Sequence, residues 1–181
     1  SRKFLWFIKF QESIMKNIIN FKMLIFIIFI TACSSESDNG LIKKAGAPLL
    51  DGLGDHTHPI TTSVVGVQKY FDQGMIMAFA FNHAESVRSF KAAQNLDPNC
   101  AMCYWGEALA LGPNINVNSD GKVIMAPENR IAAFKAINKA IALSDTVSEK
   151  EQAYISALSS RYDGDPESNR DPLDIAYANA M

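Results

Sequence analysis

The signatures of several common enzyme classes are missing from this sequence. It has no glycine-rich phosphate-binding loop, no Gly-x-Ser-x-Gly turn to hold a catalytic serine, and no paired-carboxylate motif for acid–base chemistry. Only 3 of its 181 residues are histidine and 3 are cysteine, so few side chains can act as nucleophiles or metal ligands. The sequence therefore predicts a protein that is not an enzyme and that needs no cofactor.

Positive charge is also scarce outside the first 32 residues. From Cys33 onward the chain carries 12 Lys and Arg against 18 Asp and Glu, without a basic stripe or an arginine cluster. Proteins that bind nucleic acid neutralise phosphates with such clusters. The composition therefore argues against a nucleic-acid partner.

The long apolar run of this sequence lies near its N-terminus. A short positive stretch, 15–22, precedes the apolar run 23–30, and small residues lead to Cys33. The run is too short to cross a bilayer of roughly 30 Å as a helix. This order predicts a signal peptide over residues 15–32. Residues 1–14 precede the expected start at Met15 and are interpreted as an upstream segment that is not native.

The end of this segment, Ile30-Thr31-Ala32-Cys33, resembles the lipobox of bacterial lipoproteins. The resemblance implies that Cys33 is lipidated and becomes the new N-terminus, so that the lipid makes the membrane contact. Ser34 follows where an Asp could stand, which by the same resemblance implies the outer membrane of a bacterial envelope, with the protein facing the periplasm. The alternative is an uncleaved anchor with a chance cysteine.

The pattern of apolar residues changes near residue 62. Residues 33–61 are rich in polar and small residues and lack periodicity, which predicts a flexible tether. In residues 62–181 apolar residues recur at helical spacing, which predicts an all-α domain of antiparallel helical hairpins. Asn82–Glu85 and Ser148–Glu151 have the pattern of capping boxes at helix starts. Asp97-Pro98 predicts the end of one helix and the start of the next, with Asp97 as N-cap.

The hairpins resemble tetratricopeptide repeats, a family of 34-residue helical hairpins. A frame from Val67 to Pro98 puts small and aromatic residues at the family's packing positions, and a second repeat begins near Ala101. The residues that carry the resemblance are Tyr70, Gly74, Ser86, Phe90, Ala93, Pro98, Tyr104, Trp105, Ala108, Ala133, Ile137 and Ala140. The resemblance implies a right-handed solenoid of about two and a half repeats, truncated at the C-terminus, that binds a protein or peptide partner. The aromatic residues at core spacing, which include Phe71 and Phe81, are expected to be buried.

A group of exported bacterial repeat proteins without an established activity also resembles this chain. The matching runs are 70–74, 81–85, 96–108 and 112–116. This likeness reaches from about Gly54 to Met181, and by it the domain is incomplete.

Cys100 and Cys103 are the sharpest candidates for chemistry. Two small side chains one helical turn apart can simply pack between hairpins, they can form a disulfide in an oxidising compartment, or they can hold a metal. Tyr104 stands where attachment of a c-type haem would need histidine. A thiol, disulfide or metal-binding envelope protein is therefore the alternative function.

Two other sets of residues are weaker candidates. His56, His58 and His83 could serve as metal ligands if the N-terminal segment folds back, although a histidine at a helix start more often serves the cap. The long segment 112–127 between two helices either contacts a ligand or covers the edge of a hairpin. The candidate binding residues in this loop are Pro113, Asn114, Ile115 and Asn116.

Overall fold

Seven α-helices make up most of the structure, a computed structural model that describes residues 38–116, 118–119, 122–123 and 125–181. The helices are α1 Asp38–Ala45, α2 Val67–Phe79, α3 His83–Leu96, α4 Ala101–Leu111, α5 Pro127–Ala142, α6 Glu149–Ser159 and α7 Asp171–Ala180. A 3₁₀ turn at Ser144–Thr146 links α5 to α6. A two-stranded ribbon, β1 Asn118–Ser119 and β2 Lys122–Val123, interrupts the otherwise helical order. The predictions for residues 1–37, including the signal peptide and Cys33, lie outside the described residues.

Consecutive helices from α2 to α6 pack against one another, as the prediction of helical hairpins requires. Small residues permit the close approach of α2, α3 and α4. A Cβ atom at Gly74 would lie 2.8 Å from the Phe90 ring, and one at Gly106 would lie 2.3 Å from it. The hydroxyl of Ser86 donates to the Gly74 carbonyl at 2.7 Å. The Phe90 ring therefore fills the layer that two glycines leave open.

The hydrophobic core runs through these hairpins. Tyr70, Phe71, Phe90, Met102, Ile137, Ile155 and Leu158 are the largest fully buried apolar residues. The expectation of burial is wrong for Phe81, which is 59% exposed and has a positive φ of 59° in the turn after α2. Tyr104 is half-buried, and its hydroxyl donates to the Pro98 carbonyl at the surface. The helix α2 ends at Phe79, so Phe81 lies in the turn before α3 and belongs to neither helix.

Two of the predicted helix starts differ from the structure. Ser148 and Glu151 form the expected reciprocal capping box at α6. At α3 only one of the two hydrogen bonds of a capping box is formed. The Asn82 side chain accepts from the Glu85 amide, but the Asn82 amide donates to the Met77 carbonyl and not to the Glu85 side chain. The prediction of Asp97 as an N-cap is wrong, because Cys100 caps α4.

The turn between α3 and α4 explains that correction. Asp97 is extended, ends α3, and accepts from the Asn99 amide through its carboxylate. Pro98 is exposed in this turn and does not enter the helix. The sulfur of Cys100 accepts from the Cys103 amide at 3.2 Å, which leaves α4 to begin at Ala101.

The segment before α2 differs most from its prediction. Residues 39–181 form one compact unit, and Leu41 of α1 is only 4% exposed. Residues 46–62, which we call the strap, lack regular secondary structure but are fixed to the helices by hydrogen bonds. The hydroxyl of Tyr70 donates to the Ala47 carbonyl at 2.6 Å. The part of the predicted tether from residue 40 onward is therefore packed onto the domain.

Candidate functional site

A pocket of about 400 Å³ opens where three parts of the chain meet. The start of α3 contributes His83, the end of α4 leads into the loop with Asn114, and the start of α5 contributes Asn129. The remaining lining residues are Ala84, Val87, Ala110, Leu111, Gly112, Met125 and Ala126. Its volume is within the range of about 300–1,000 Å³ that is common for ligand sites.

The polar groups of this pocket have unused hydrogen-bonding capacity. Both ring nitrogens of His83 are buried and have no hydrogen-bond partner among the described residues. The side-chain oxygen of Asn114 accepts from the Asn116 amide at 2.9 Å, and its NH₂ group has no partner among the described residues. The carboxamide of Asn129 forms no hydrogen bond within the described part of the chain. An unpartnered buried nitrogen costs free energy unless a ligand or solvent satisfies it, so the site is suited to a polar ligand.

Exposed apolar side chains lie beside the pocket. The ring of Phe81 is 6.5 Å from the His83 ring in an edge-to-face arrangement. Ile115, next to Asn114, is 72% exposed. Exposed apolar groups around a pocket are typical of surfaces that bind another protein.

The other face of the helices is covered by the strap. Gln73 accepts from the Leu50 amide at 2.8 Å and donates to the Pro48 carbonyl at 3.2 Å. Gln68 accepts from the Ile60 amide at 3.0 Å and donates to the His58 carbonyl at 2.8 Å. The face of α2 that these glutamines line is therefore occupied by the protein's own backbone.

The far end of the strap reaches the start of α6. Glu151 accepts from the amide and the hydroxyl of Thr61, 90 residues away in sequence, and from Ser148. Burial would raise the pKa of Glu151, but the hydrogen bonds from Ser148 and Thr61 outweigh it and lower that pKa. A smaller pocket of about 240 Å³ lies here and includes His58 and Tyr154. The carboxylate thus joins the strap to a helix start.

Cys100 and Cys103 form a disulfide. Their exposures are 1% and 0%, so neither sulfur is accessible to another thiolate. Thiol–disulfide exchange requires attack on an accessible sulfur. The surroundings therefore favour a structural disulfide over an exchanging one.

The three histidines lie in different surroundings. His56 is exposed, the ring of His58 lies 6.0 Å from Phe71 and 6.2 Å from Tyr154, and His83 lines the larger pocket. Among the described residues no three His, Cys, Asp or Glu side chains are close enough to hold a metal ion. The same residues include no helix long and apolar enough to span a membrane. A shared metal site of these histidines is therefore not formed in the described part of the chain.

The pocket brings together only some of the residues that the sequence singled out. His83 and Asn114 line it, Pro113 lies between two lining residues, and Ile115 and Asn116 are exposed beside it. Sequence reasoning missed Asn129, which lies two residues after Pro127 in the first turn of α5. Met125, which is buried in the same pocket lining, is not part of any sequence motif that would indicate a site.

Comparison with known proteins adds no functional assignment. The chain matches no protein-family model, no curated protein and no solved structure. The pocket and the strap are therefore the features on which a proposal rests.

Proposed function

We propose that this protein is a binding module of the bacterial envelope, built from tetratricopeptide-like helical hairpins and anchored through a lipid on Cys33, that binds a protein or peptide partner. The observation that carries the proposal is the pocket at His83, whose ring nitrogens have no partner among the described residues and whose neighbours Phe81 and Ile115 are exposed apolar side chains. The helix packing around Gly74, Phe90 and Gly106 supports the repeat-like architecture. No catalytic role is part of the proposal.

The position of the pocket favours the loop end of the hairpins as the binding surface. The strap covers the face of α2 and reaches α6, so a partner would have to displace it there. The pocket at His83 requires no such displacement. We therefore place the partner at the start of α3, the segment 112–116 and the start of α5.

A selection experiment tests this function. The immobilised chain is used to select ligands from a displayed peptide library, and the ligands are then tested against an Ala84→Trp variant, whose indole fills the pocket. Selected ligands should lose at least about tenfold in affinity for this variant. Ala153→Trp, an exposed position on α6, is the matched control and should bind normally. A library that yields no ligand for the wild-type chain would contradict the proposed function.

The lipid anchor requires a separate test. Expression in a bacterial host with a labelled fatty acid should label the wild-type chain and not a Cys33→Ala variant. Labelled protein should fractionate with the outer membrane. Equal labelling of both chains, or none of either, would contradict the anchor and would leave the binding proposal standing.

A further inference from the structure

The strap shows how this protein holds an extended backbone. Gln68 and Gln73 use the same geometry: each carboxamide donates to the carbonyl of one strap residue and accepts from the amide two residues further on. We call this arrangement a carboxamide clamp. A carboxamide has both a donor and an acceptor in one plane, so it can satisfy both backbone groups at once.

The pocket at His83 offers the same chemistry at the surface. The Asn129 carboxamide has no partner within the described residues, and the NH₂ group of Asn114 is available nearby. The imidazole of His83 also lines the pocket, and its two ring nitrogens are buried without a partner among the described residues. In its neutral form an imidazole offers one donor and one acceptor, as a peptide unit does.

The walls of the pocket limit what can enter it. Ala84, Ala110, Gly112 and Ala126 have small side chains or none, so a main chain can approach closely. Among the described residues that line the pocket there is no acidic side chain, lysine or arginine. An ionised ligand group would lose water there without gaining a fixed counter-charge, which is unfavourable. The occupant should therefore be uncharged where it contacts the pocket.

We propose that the pocket binds an uncharged, extended peptide segment of the partner through its backbone, with Asn129 as the carboxamide clamp and His83 as the second contact. This inference rests on the proposed function and specifies its ligand. The exposed Phe81 and Ile115 would contact the side chains of the same segment. Side-chain preferences of the partner would then be weak compared with its requirement for free backbone amides.

The test uses a minimal backbone probe. N-acetyl-trialanine N-methylamide has the carbonyl and the amide two residues apart that a clamp requires. It is titrated into the chain at millimolar concentrations while the ring signals of His83 and the side-chain amide signals of Asn129 are followed by NMR. Saturable shifts of these signals are expected. The same peptide with N-methylated backbone amides lacks the donors and should bind about tenfold more weakly or not at all.

A matched pair of variants assigns the contact. Asn129→Asp keeps the shape and the acceptor of the side chain but removes its donor, so the probe should bind about tenfold more weakly. Asn99→Asp makes the same chemical change at an exposed turn away from the pocket and should leave binding unchanged. Binding that is insensitive to N-methylation, or shifts confined to strap residues, would overturn the inference.

The two proposals can fail separately. If library-selected ligands bind the wild-type chain and the Asn129→Asp variant equally, the backbone clamp is wrong and the binding function stands. If the probe binds at His83 but no library ligand is found, the clamp stands and the function as a peptide-binding module is wrong.

Discussion

The hydroxyl of Tyr162 donates a 2.6 Å hydrogen bond to the backbone carbonyl of Ala108, 54 residues earlier in the chain. The bond lies near the end of α4, where helix carbonyls lose their intrahelical partners; here the Gly112 amide turns to Leu109 instead. Burial raises the pKa of Tyr162 far above its ordinary value, although Arg161 and Arg170 oppose the effect. The hydroxyl therefore stays neutral and donates a hydrogen bond to the last turn of α4, beside the pocket.

Removing that hydroxyl should destabilise the fold. Tyr162→Phe leaves the Ala108 carbonyl buried without this partner, and we expect the free energy of unfolding to fall by about 1–3 kcal/mol in urea denaturation. Tyr104→Phe is the matched control, because its hydroxyl bonds to an exposed carbonyl at 3.3 Å. A larger loss for Tyr104→Phe than for Tyr162→Phe would contradict this ranking.

A second prediction concerns the glycines around Phe90. Gly106→Ala would place a methyl group 2.3 Å from the ring, so we expect a loss of about 1–3 kcal/mol in stability. In a Phe90→Leu background the same change should cost less, because the smaller side chain gives way. The coupling in a double-mutant cycle should be about 0.5–3 kcal/mol. Additive effects of the two changes would show that the ring does not limit the helix approach.

Glu151 should make stability depend on pH. Its folded pKa is lower than the ordinary value of 4.5, so its contribution is fully present above that value and is lost as the pH falls through the folded pKa. Thermal or urea unfolding between pH 7 and pH 3 should therefore show a decline in the acid range that Glu151→Gln reduces. Glu149→Gln, at an exposed position in the same helical turn, is the control and should keep the wild-type profile. Equal profiles for Glu151→Gln and wild type would contradict the assignment.

The strap can be released at one end by a single change. Gln73→Leu removes the clamp on Pro48 and Leu50 and leaves the Leu50 amide without its acceptor. We expect that amide to exchange hydrogen at least about tenfold faster, which corresponds to a loss of about 1.4 kcal/mol or more. The Ile60 amide, held by Gln68, is the internal control and should exchange as in the wild type. Unchanged exchange at Leu50 would mean that packing alone holds the strap.

The helical hairpins were predictable because the spacing of apolar residues and the size of the side chains at packing positions can be read from short stretches of sequence. Gly74, Ser86 and Phe90 stand at helical spacing, and their burial follows from that spacing. The capping box at Ser148 could be predicted as well, because its partners Ser148 and Glu151 lie within four consecutive residues. These features depend on residues that are close together in sequence, so they can be predicted from the sequence alone.

The packing of the strap onto the helices and the contribution of α5 to the pocket could not be predicted in this way. The polar composition of residues 33–61 predicted a flexible tether. It could not show that Gln68, Gln73 and Glu151, which lie elsewhere in the chain, bind backbone groups of this segment. Asn129 reaches the pocket only because α5 packs against α4, which in turn packs against α3. Long-range placement of this kind depends on the tertiary fold.

The disulfide between Cys100 and Cys103 distinguishes the proposed function from the alternative thiol function. Because both sulfurs are buried, alkylation of the native chain should label neither residue even with a mild reductant present, and labelling should require unfolding and reduction together. The Cys100→Ser, Cys103→Ser double variant should lose about 2 kcal/mol of stability, as expected for a very short loop, and should still bind library-selected peptides. Intact mass after alkylation measures the first outcome, and urea denaturation with a binding assay measures the second. Rapid labelling of the native chain with reductant, or a binding loss that exceeds the stability loss, would instead place the functional centre at the start of α4.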